Sequence, residues 1–70
     1  MKIYAPFAGS VRYCVARGQR VATGDELAVV EAVKLEAPVL APGPGLVESL
    51  SVAPYSNVAG GDELLQFGEA

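Results

Sequence analysis

A short pattern of residues occurs twice in this chain, in the same order each time, and it limits the possible folds more than any other feature. Residues 5–11 (APFAGSV) match residues 41–47 (APGPGLV), and residues 21–27 (VATGDEL) match residues 58–64 (VAGGDEL). The offset is 36 residues in the first block and 37 in the second. One residue is therefore inserted between the two blocks of the second copy, and we place it near residues 54–57 (PYSN). Two copies are too few for a solenoid array, which needs at least three, so the two units must bury their apolar faces against each other.

Each copy has the pattern of short β-strands separated by turns. In a strand from Ser10 to Val15, the apolar residues Val11, Tyr13 and Val15 alternate with Arg12 at a period of two. Residues 26–31 (ELAVVE) form a second, apolar strand, and residues 46–52 and 63–67 take the corresponding places in the second copy. Eight glycines and five prolines interrupt the chain, and no stretch keeps a helical period over about ten residues. The sequence predicts an all-β fold.

The predicted domain consists of about eight short strands in two units related by a pseudo-two-fold axis. A chain of 70 residues is below the size at which one core supplies more than a few kcal/mol. Closing the units into a flattened barrel-sandwich buries both apolar faces and leaves few open strand edges. We therefore expect a single domain over residues 1–70, with repeat units at about 5–31 and 41–68 joined by a hairpin at about 31–36.

The residue types that are missing exclude several kinds of chemistry. The chain has no histidine and one cysteine, so His-based metal sites, catalytic triads and internal disulfides cannot form within it. A net charge of −3 without basic clusters argues against nucleic-acid binding, and no apolar run approaches the ~20 residues that membrane insertion needs. We expect Cys14 to be a small packed side chain, and its lone thiol favours a reducing, cytoplasmic compartment.

The segment that joins the two copies carries Lys34, one of only two lysines in the chain. No glycine separates the apolar strand before it from residues 35–40 after it, so the two strands should meet in a tight hairpin at Val33 and Lys34. An exposed lysine is ordinarily a solvated surface residue, and its charged amine is a poor nucleophile. An enzyme acting in trans supplies both the activated acyl group and the deprotonation, and it can approach a hairpin tip from several directions.

Residues 31–36 (EAVKLE) resemble the acceptor motif of biotin carboxyl carrier proteins, usually EAMKME. The Ala-Pro-x-x-Gly and Gly-Asp-x-Leu elements of both copies resemble the same family, so the similarity covers essentially the whole chain. The resemblance implies a barrel-sandwich hybrid with biotin linked to Lys34 through an amide bond. It also implies a biotin protein ligase that attaches the biotin, and a biotin carboxylase and a carboxyltransferase between which the biotin carries carboxylate. Such a domain has no catalytic residues and no metal of its own, because the bond-making groups belong to its partner enzymes.

The sequence departs from the family motif on both sides of the lysine, with Val33 and Leu35 in place of two methionines. Leucine for methionine is a modest change. A primed two-residue turn would place Val33 at positive φ, which a β-branched residue disfavours. Either the turn is of another type or it is strained at Val33. No segment is inserted before the motif, so we expect no protrusion of the kind found in some bacterial acetyl-CoA carboxylase carriers.

Two other functions share the predicted fold. Lipoyl carrier domains of 2-oxo acid dehydrogenase-type systems also modify a hairpin lysine, but they typically have Asp before it and a small residue after it. An unmodified interaction module would leave Lys34 as a plain surface residue. Glu31 and Glu36 flank the lysine, and we expect solvated charges or ligase contacts there instead of an acid/base pair. The Asp-Glu pairs at 25–26 and 62–63 occur in both copies, which favours a role in turns over a metal site.

Overall fold

The computed structural model describes residues 1–68, which consist of strands, turns and loops. The strands are β1 (Lys2–Tyr4), β2 (Gly9–Tyr13), β3 (Arg20–Val21), β4 (Glu26–Ala32), β5 (Leu35–Leu40), β6 (Gly45–Leu50), β7 (Asn57–Val58) and β8 (Glu63–Gly68). They form two antiparallel sheets of four strands, in the orders β1-β8-β6-β3 and β5-β4-β2-β7. This is the all-β barrel-sandwich of eight short strands that the sequence predicts. No helix that could cross a membrane occurs in this part of the chain.

The sequence repeat relates the two sheets to each other. β2 pairs with β4 and β7, and in the second copy β6 pairs in the same way with β8 and β3. β5 is an edge strand beside β4 in one sheet, and β1 is the corresponding edge strand beside β8 in the other sheet. Both edge pairings carry a bulge, which leaves Leu27 and Leu64 as the extra residues. A bulge places two successive residues opposite one, and both leucines are fully buried.

A further bulge breaks this symmetry and locates the inserted residue. The register of β6 with β8 steps from Val47↔Phe67 to Ser49↔Gln66, so Glu48 is extra. The corresponding ladder of β2 with β4 runs without a break. The insertion therefore lies at Glu48, and the expectation that it falls in the loop before β7 is wrong. Matching blocks on either side of a gap do not locate the extra residue within the gap, and a bulge absorbs one residue while the strands stay paired.

The turns that begin β4 and β8 are built alike, which confirms the turn role expected for their aspartates. One carboxylate oxygen of Asp25 accepts the backbone N–H three residues earlier at 2.9 Å, and Asp62 accepts its equivalent at 2.8 Å. The glycine before each aspartate has positive φ, 87° at Gly24 and 90° at Gly61. Side chains with a Cβ are disfavoured there. Within residues 1–68, no group of three acidic or thiol side chains is placed to hold a metal ion.

The core consists of two clusters of buried apolar residues. One contains Val15, Val21, Leu27, Ala41, Val47, Leu65 and Phe67, and the other contains Ala5, Val11, Ala28, Val30, Val58 and Leu64. Each cluster draws side chains from both copies of the repeat. The units are therefore interlocked and share their hydrophobic stabilisation.

Tyr13 contacts both clusters and bonds to the other copy of the repeat. Its single hydroxyl hydrogen is shared between the backbone carbonyls of Leu64, at 2.6 Å, and Val52, at 3.0 Å. Burial raises the pKa of this hydroxyl, and the bond to the Val52 backbone offsets part of the rise. The alternation of β2 predicted that Tyr13 faces inward, but not that its hydroxyl joins the two copies.

Cys14 is exposed, so the expectation of a packed side chain is wrong. Val15 is buried while Arg12 and Cys14 are exposed. The reason is that the in-and-out alternation of side chains persists for two residues beyond the end of β2, so the thiol points away from the core.

Candidate functional site

The hairpin that joins β4 to β5 holds the lysine singled out by the sequence. Ala32 pairs with Leu35 at its end, and Val33 and Lys34 form the turn between them. This confirms the predicted two-residue connection. We call residues 31–36 the Lys34 hairpin. Its inner strand β4 is held on both sides, by β5 and by β2, so the turn projects from a fully paired part of the sheet.

The turn is not of a primed type. Among the non-glycine residues that the structure describes, Tyr55 alone has positive φ. A type I′ turn needs positive φ at both central residues and a type II′ turn at the first, so Val33 and Lys34 satisfy neither. The sequence left open a turn of another type or a turn strained at Val33, and the structure has the former. The β-branched side chain of Val33 therefore causes no backbone strain.

The side chains at the tip of the hairpin are all exposed to solvent. Val33 is 99% exposed and Leu35 62% exposed, and Lys34 is also exposed. Val33 and Leu35 leave apolar surface in water, and its burial against another molecule would be favourable. The arrangement presents the Lys34 amine between two apolar side chains that are free to contact another molecule.

Two carboxylates face each other across the base of the tip, where Glu31 pairs with Glu36. Both side chains are exposed. Glu31 is compensated by the guanidinium of Arg12 on β2, with 3.7 Å between nitrogen and oxygen. The second ion pair of residues 1–68 joins Lys2 to Glu63 at 3.6 Å, in the other sheet, and Lys34 takes part in neither. Both carboxylates are solvated charges, as the sequence predicts for the residues that flank the lysine.

Comparison with known proteins places this hairpin in a family context. The biotin/lipoyl family model, described as "Biotin-requiring enzyme", matches residues 2–67. The chain belongs to the biotin/lipoyl attachment family. The match spans both copies of the repeat and contains the whole Lys34 hairpin, so this biotin/lipoyl domain has the family's fold and not merely its motif.

Two relatives of the biotin/lipoyl domain are parts of carboxylases. The chain is 38% identical over 65 residues to the biotin-dependent acyl-coenzyme A carboxylase alpha3 subunit of Mycobacterium leprae (strain TN), covering 91% of this chain and 11% of that protein. It superposes with a TM-score of 0.92 and 30% identity on a single-chain, multi-domain long-chain acyl-CoA carboxylase, covering 100% of this chain and 7% of that one. The chain therefore spans about a tenth or less of the length of these relatives.

A third similarity concerns the fold alone. An ectoine utilization protein from Ruegeria pomeroyi matches with a TM-score of 0.84 at 23% identity, over 99% of this chain and 22% of that one. The barrel-sandwich thus also occurs as a part of proteins whose names mention no biotin. Fold by itself does not define what the biotin/lipoyl domain does.

One feature beside the hairpin was not predicted from the sequence. A groove of about 470 Å³ opens next to Val33, between the hairpin and β7. Its far side is formed by Asn57 and Val58, which are 21 or more residues from the hairpin in sequence. The pairing of β2 with both β4 and β7 brings them together. The repeat predicted the strands but not which side chains meet across them.

Proposed function

We propose that this chain is a biotin carboxyl carrier domain and that Lys34 carries covalently attached biotin. The observation that supports this most is the exposed lysine in the two-residue turn of the EAVKLE hairpin. When attached, biotin supplies a ring nitrogen that carries carboxylate between two enzyme sites. The chain itself holds the lysine at a fixed, projecting position and supplies no catalytic residue.

The physical advantage of this arrangement is the combination of a rigid base with an accessible tip. β4 is paired on both sides, whereas Val33 and Lys34 form the turn and pair with no strand of residues 1–68. Because the turn is already formed, binding of the tip by a partner enzyme costs little conformational entropy. The side chains of Val33 and Leu35 give a biotin protein ligase two apolar contacts beside the reacting amine.

The partners are the ligase, a biotin carboxylase and a carboxyltransferase. Two similar proteins are named as acyl-CoA carboxylases, and this chain covers 11% and 7% of their lengths. We infer that the carboxylase and transferase sites belong to other domains or subunits of such an assembly. The lone exposed thiol of Cys14 fits a reducing, cytoplasmic location.

A lipoyl carrier of a 2-oxo acid dehydrogenase-type system is the second candidate, since the family includes both types of domain. It is disfavoured by Val33 and Leu35, because lipoyl carriers typically have Asp before the lysine and a small residue after it. An unmodified interaction module is the third candidate. Its tip would need no accessible amine.

Mass spectrometry after co-expression with a biotin protein ligase distinguishes the three. We expect one biotinyl increment on the wild-type protein, none on Lys34→Arg, and one on the matched control Lys2→Arg. Lys2 is also an exposed lysine, but it pairs with Glu63 within the sheet that does not contain the Lys34 hairpin. Because Lys34 is exposed and makes no ion pair within residues 1–68, its replacement should change the free energy of unfolding by less than about 0.5 kcal/mol.

The other outcomes are equally definite. A biotinyl increment that persists on Lys34→Arg contradicts the assignment of the residue. No increment with a biotin ligase, followed by a lipoyl increment with a lipoate ligase, establishes the second candidate. A correctly folded protein that neither ligase modifies contradicts both carrier assignments and favours the third candidate.

A further inference from the structure

Tyr55 has a backbone conformation that ordinarily favours glycine. Its φ is 65°, and no other non-glycine residue of residues 1–68 has positive φ. Residues 53–56 (APYS) form a turn in which the Ser56 N–H donates to the Ala53 carbonyl at 3.2 Å. Positive φ at the third position of such a turn is typical of type II, which favours Gly or Asn there. A bulky side chain at this position strains the backbone.

The first copy of the repeat has glycine at the same place. With the offset of 37 residues, Gly18 corresponds to Tyr55, and its φ is 88°. The Gly18 N–H donates to the Val47 carbonyl at 2.7 Å, and the Tyr55 N–H donates to the Val11 carbonyl at 2.7 Å. In both copies the accepting valine donates its own N–H to the next carbonyl along, which is the pattern of a β-bulge that normally begins with glycine. The two copies therefore share this backbone, and the second has a strained side chain in it.

The ring of Tyr55 does not compensate this strain within the fold. It is 72% exposed, and it belongs to neither core cluster. Strained residues persist where something else compensates them, and they occur most often at functional sites. Tyrosine is also one of the residue types that contribute most to protein–protein binding. The ring is thus available to another protein.

Tyr55 lies close enough to the Lys34 hairpin to share one interface with it. Val11, to which Tyr55 bonds, pairs with Val30, four residues before Lys34. The segment of Tyr55 lies two strand spacings from β4, beyond β2, which places it roughly 15–20 Å from the tip. A stable protein interface covers about 800 Å² on each partner, or about 30 Å across. A protein that binds the hairpin can therefore contact Tyr55 with the same surface.

Among the partners of the proposed function, the biotin protein ligase depends most on such a contact. The carboxylases similar to this chain are much longer, and the chain covers 11% and 7% of their lengths. Enzyme sites in one assembly with the carrier meet it at a high effective concentration, so they need little affinity of their own. A ligase meets the carrier by diffusion, and the hairpin tip offers it two apolar side chains, Val33 and Leu35. A rigid aromatic ring adds contact area at a small cost in conformational entropy.

We propose that Tyr55 is a second docking contact for the biotin protein ligase, separate from the Lys34 hairpin. The proposal rests on the proposed function. The ring enters an apolar pocket of the ligase while the hairpin brings the Lys34 amine to the reaction site. Because Tyr55 is remote from the amine, it contributes to binding of the carrier and not to the rate of transfer.

Initial rates of biotinylation over a range of carrier concentrations, with a purified biotin protein ligase, test this contact. Tyr55→Gly removes the ring and accepts positive φ, so the KM for the carrier should rise about five- to tenfold at unchanged kcat. Its Tm should rise by roughly 4–8 °C, because the strain is relieved. Tyr55→Asn is a second variant without the ring that tolerates the same backbone, and it should show the same rise in KM. Tyr55→Phe keeps the ring and should retain the wild-type KM.

The matched control is Gly18→Tyr, which places the same ring in the equivalent turn of the first copy. A Cβ added to Gly18 meets nothing within 4 Å, and this turn bonds to β6, in the sheet that does not contain the Lys34 hairpin. The variant should lose roughly 4–8 °C in Tm and retain the wild-type KM.

Equal KM values for the wild-type protein and both variants without the ring overturn the ligase contact and leave biotinylation of Lys34 intact, whether the ring then serves a second copy of the chain or another enzyme. An equal rise in KM for Gly18→Tyr also overturns it, because the effect would not depend on the place of the ring. A lower kcat at unchanged KM contradicts a contact remote from the amine. Absence of the biotinyl mass increment on the wild-type protein overturns the proposed function and the docking contact together.

Discussion

Removing the hydroxyl of Tyr13 isolates the polar link between the two copies of the repeat. Tyr13→Phe keeps the ring that packs against both core clusters and deletes the donor to Val52 and Leu64. The Leu64 carbonyl keeps a second partner, since it also accepts the N–H of Ser51 at 2.9 Å. The Val52 carbonyl loses the bond of 3.0 Å from Tyr13. The substitution therefore leaves the Leu64 carbonyl with one hydrogen bond in place of two, and it leaves the partly buried Val52 carbonyl without the hydroxyl donor.

These contacts set the magnitude. A typical intramolecular hydrogen bond contributes about 1 kcal/mol, and an unsatisfied buried acceptor costs about 1–3 kcal/mol. With one carbonyl still bonded, we expect Tyr13→Phe to lower the free energy of unfolding by about 1.5 kcal/mol. For a domain of this size, that corresponds to a fall in Tm of roughly 6–12 °C.

The assay is thermal and urea denaturation followed by circular dichroism, with Tyr55→Phe as the matched control. Tyr55 is 72% exposed, and the same atom is removed from it. Its substitution should change the stability by less than about 0.5 kcal/mol. Equal midpoints for the two variants would refute the view that the Tyr13 hydroxyl stabilises the contact between the copies.

The pKa of Tyr13 adds a second observable. Burial raises this pKa above the value in the unfolded chain, so the folded state holds the proton more tightly. That contribution to stability is fully present below about pH 10 and is lost as the pH rises through the folded-state pKa. The wild-type protein should therefore lose stability in alkaline solution more steeply than Tyr13→Phe. Parallel pH profiles would contradict the assignment of the shift to folding.

Three further substitutions test the strand contacts and turns by denaturation. Gly9→Ala should destabilise the protein by about 1–3 kcal/mol, because the added Cβ would lie close to a backbone oxygen of β4. The control Gly43→Ala, where the added Cβ faces open space, should be neutral or slightly stabilising. Equal effects of the two substitutions would contradict the close approach of β4 to Gly9. Val33→Gly should destabilise the protein by about 0.5–1 kcal/mol, since Val33 has no positive φ for Gly to relieve and Gly increases the entropy of the unfolded chain. A more stable Val33→Gly variant would instead indicate a primed turn. Asp25→Ala and Asp62→Ala should each lower the free energy of unfolding by about 1 kcal/mol, since each removes one hydrogen bond within a turn. The two effects should be additive in the double variant, because the turns are separate. Strong non-additivity would show that the turns are coupled.

The fold was predictable because the repeat and the strand alternation are local signals. Residues 35–40 were delimited correctly as a strand, and the turn at Val33 and Lys34 fell where the chain has no glycine to extend it. The prediction located the inserted residue wrongly because the bulge at Glu48 is defined by pairing with β8. No residue near Glu48 marks a bulge in the sequence alone.

The site was predictable only as a motif. EAVKLE pointed to the hairpin, but the turn type depends on backbone angles that neither Val33 nor Lys34 determines by itself. Asn57 and Val58 could not be connected with the hairpin in advance, because they reach it through β2. Cys14 was misplaced because an apolar neighbourhood in sequence says less about burial than the parity of its position along the strand.

The division of strand pairings between the two copies has a consequence for how the molecule assembles. Four of the six pairings, β1–β8, β2–β7, β3–β6 and β4–β5, join a strand of residues 1–32 to one of residues 35–68. A single copy would leave its edge strands without hydrogen-bonding partners, so neither half folds independently. A chain cut between Val33 and Lys34 should instead reconstitute by fragment complementation, at a rate that depends on concentration. The same complementarity allows two intact chains to exchange halves and form a domain-swapped dimer, with Lys34 in the segment that would have to open.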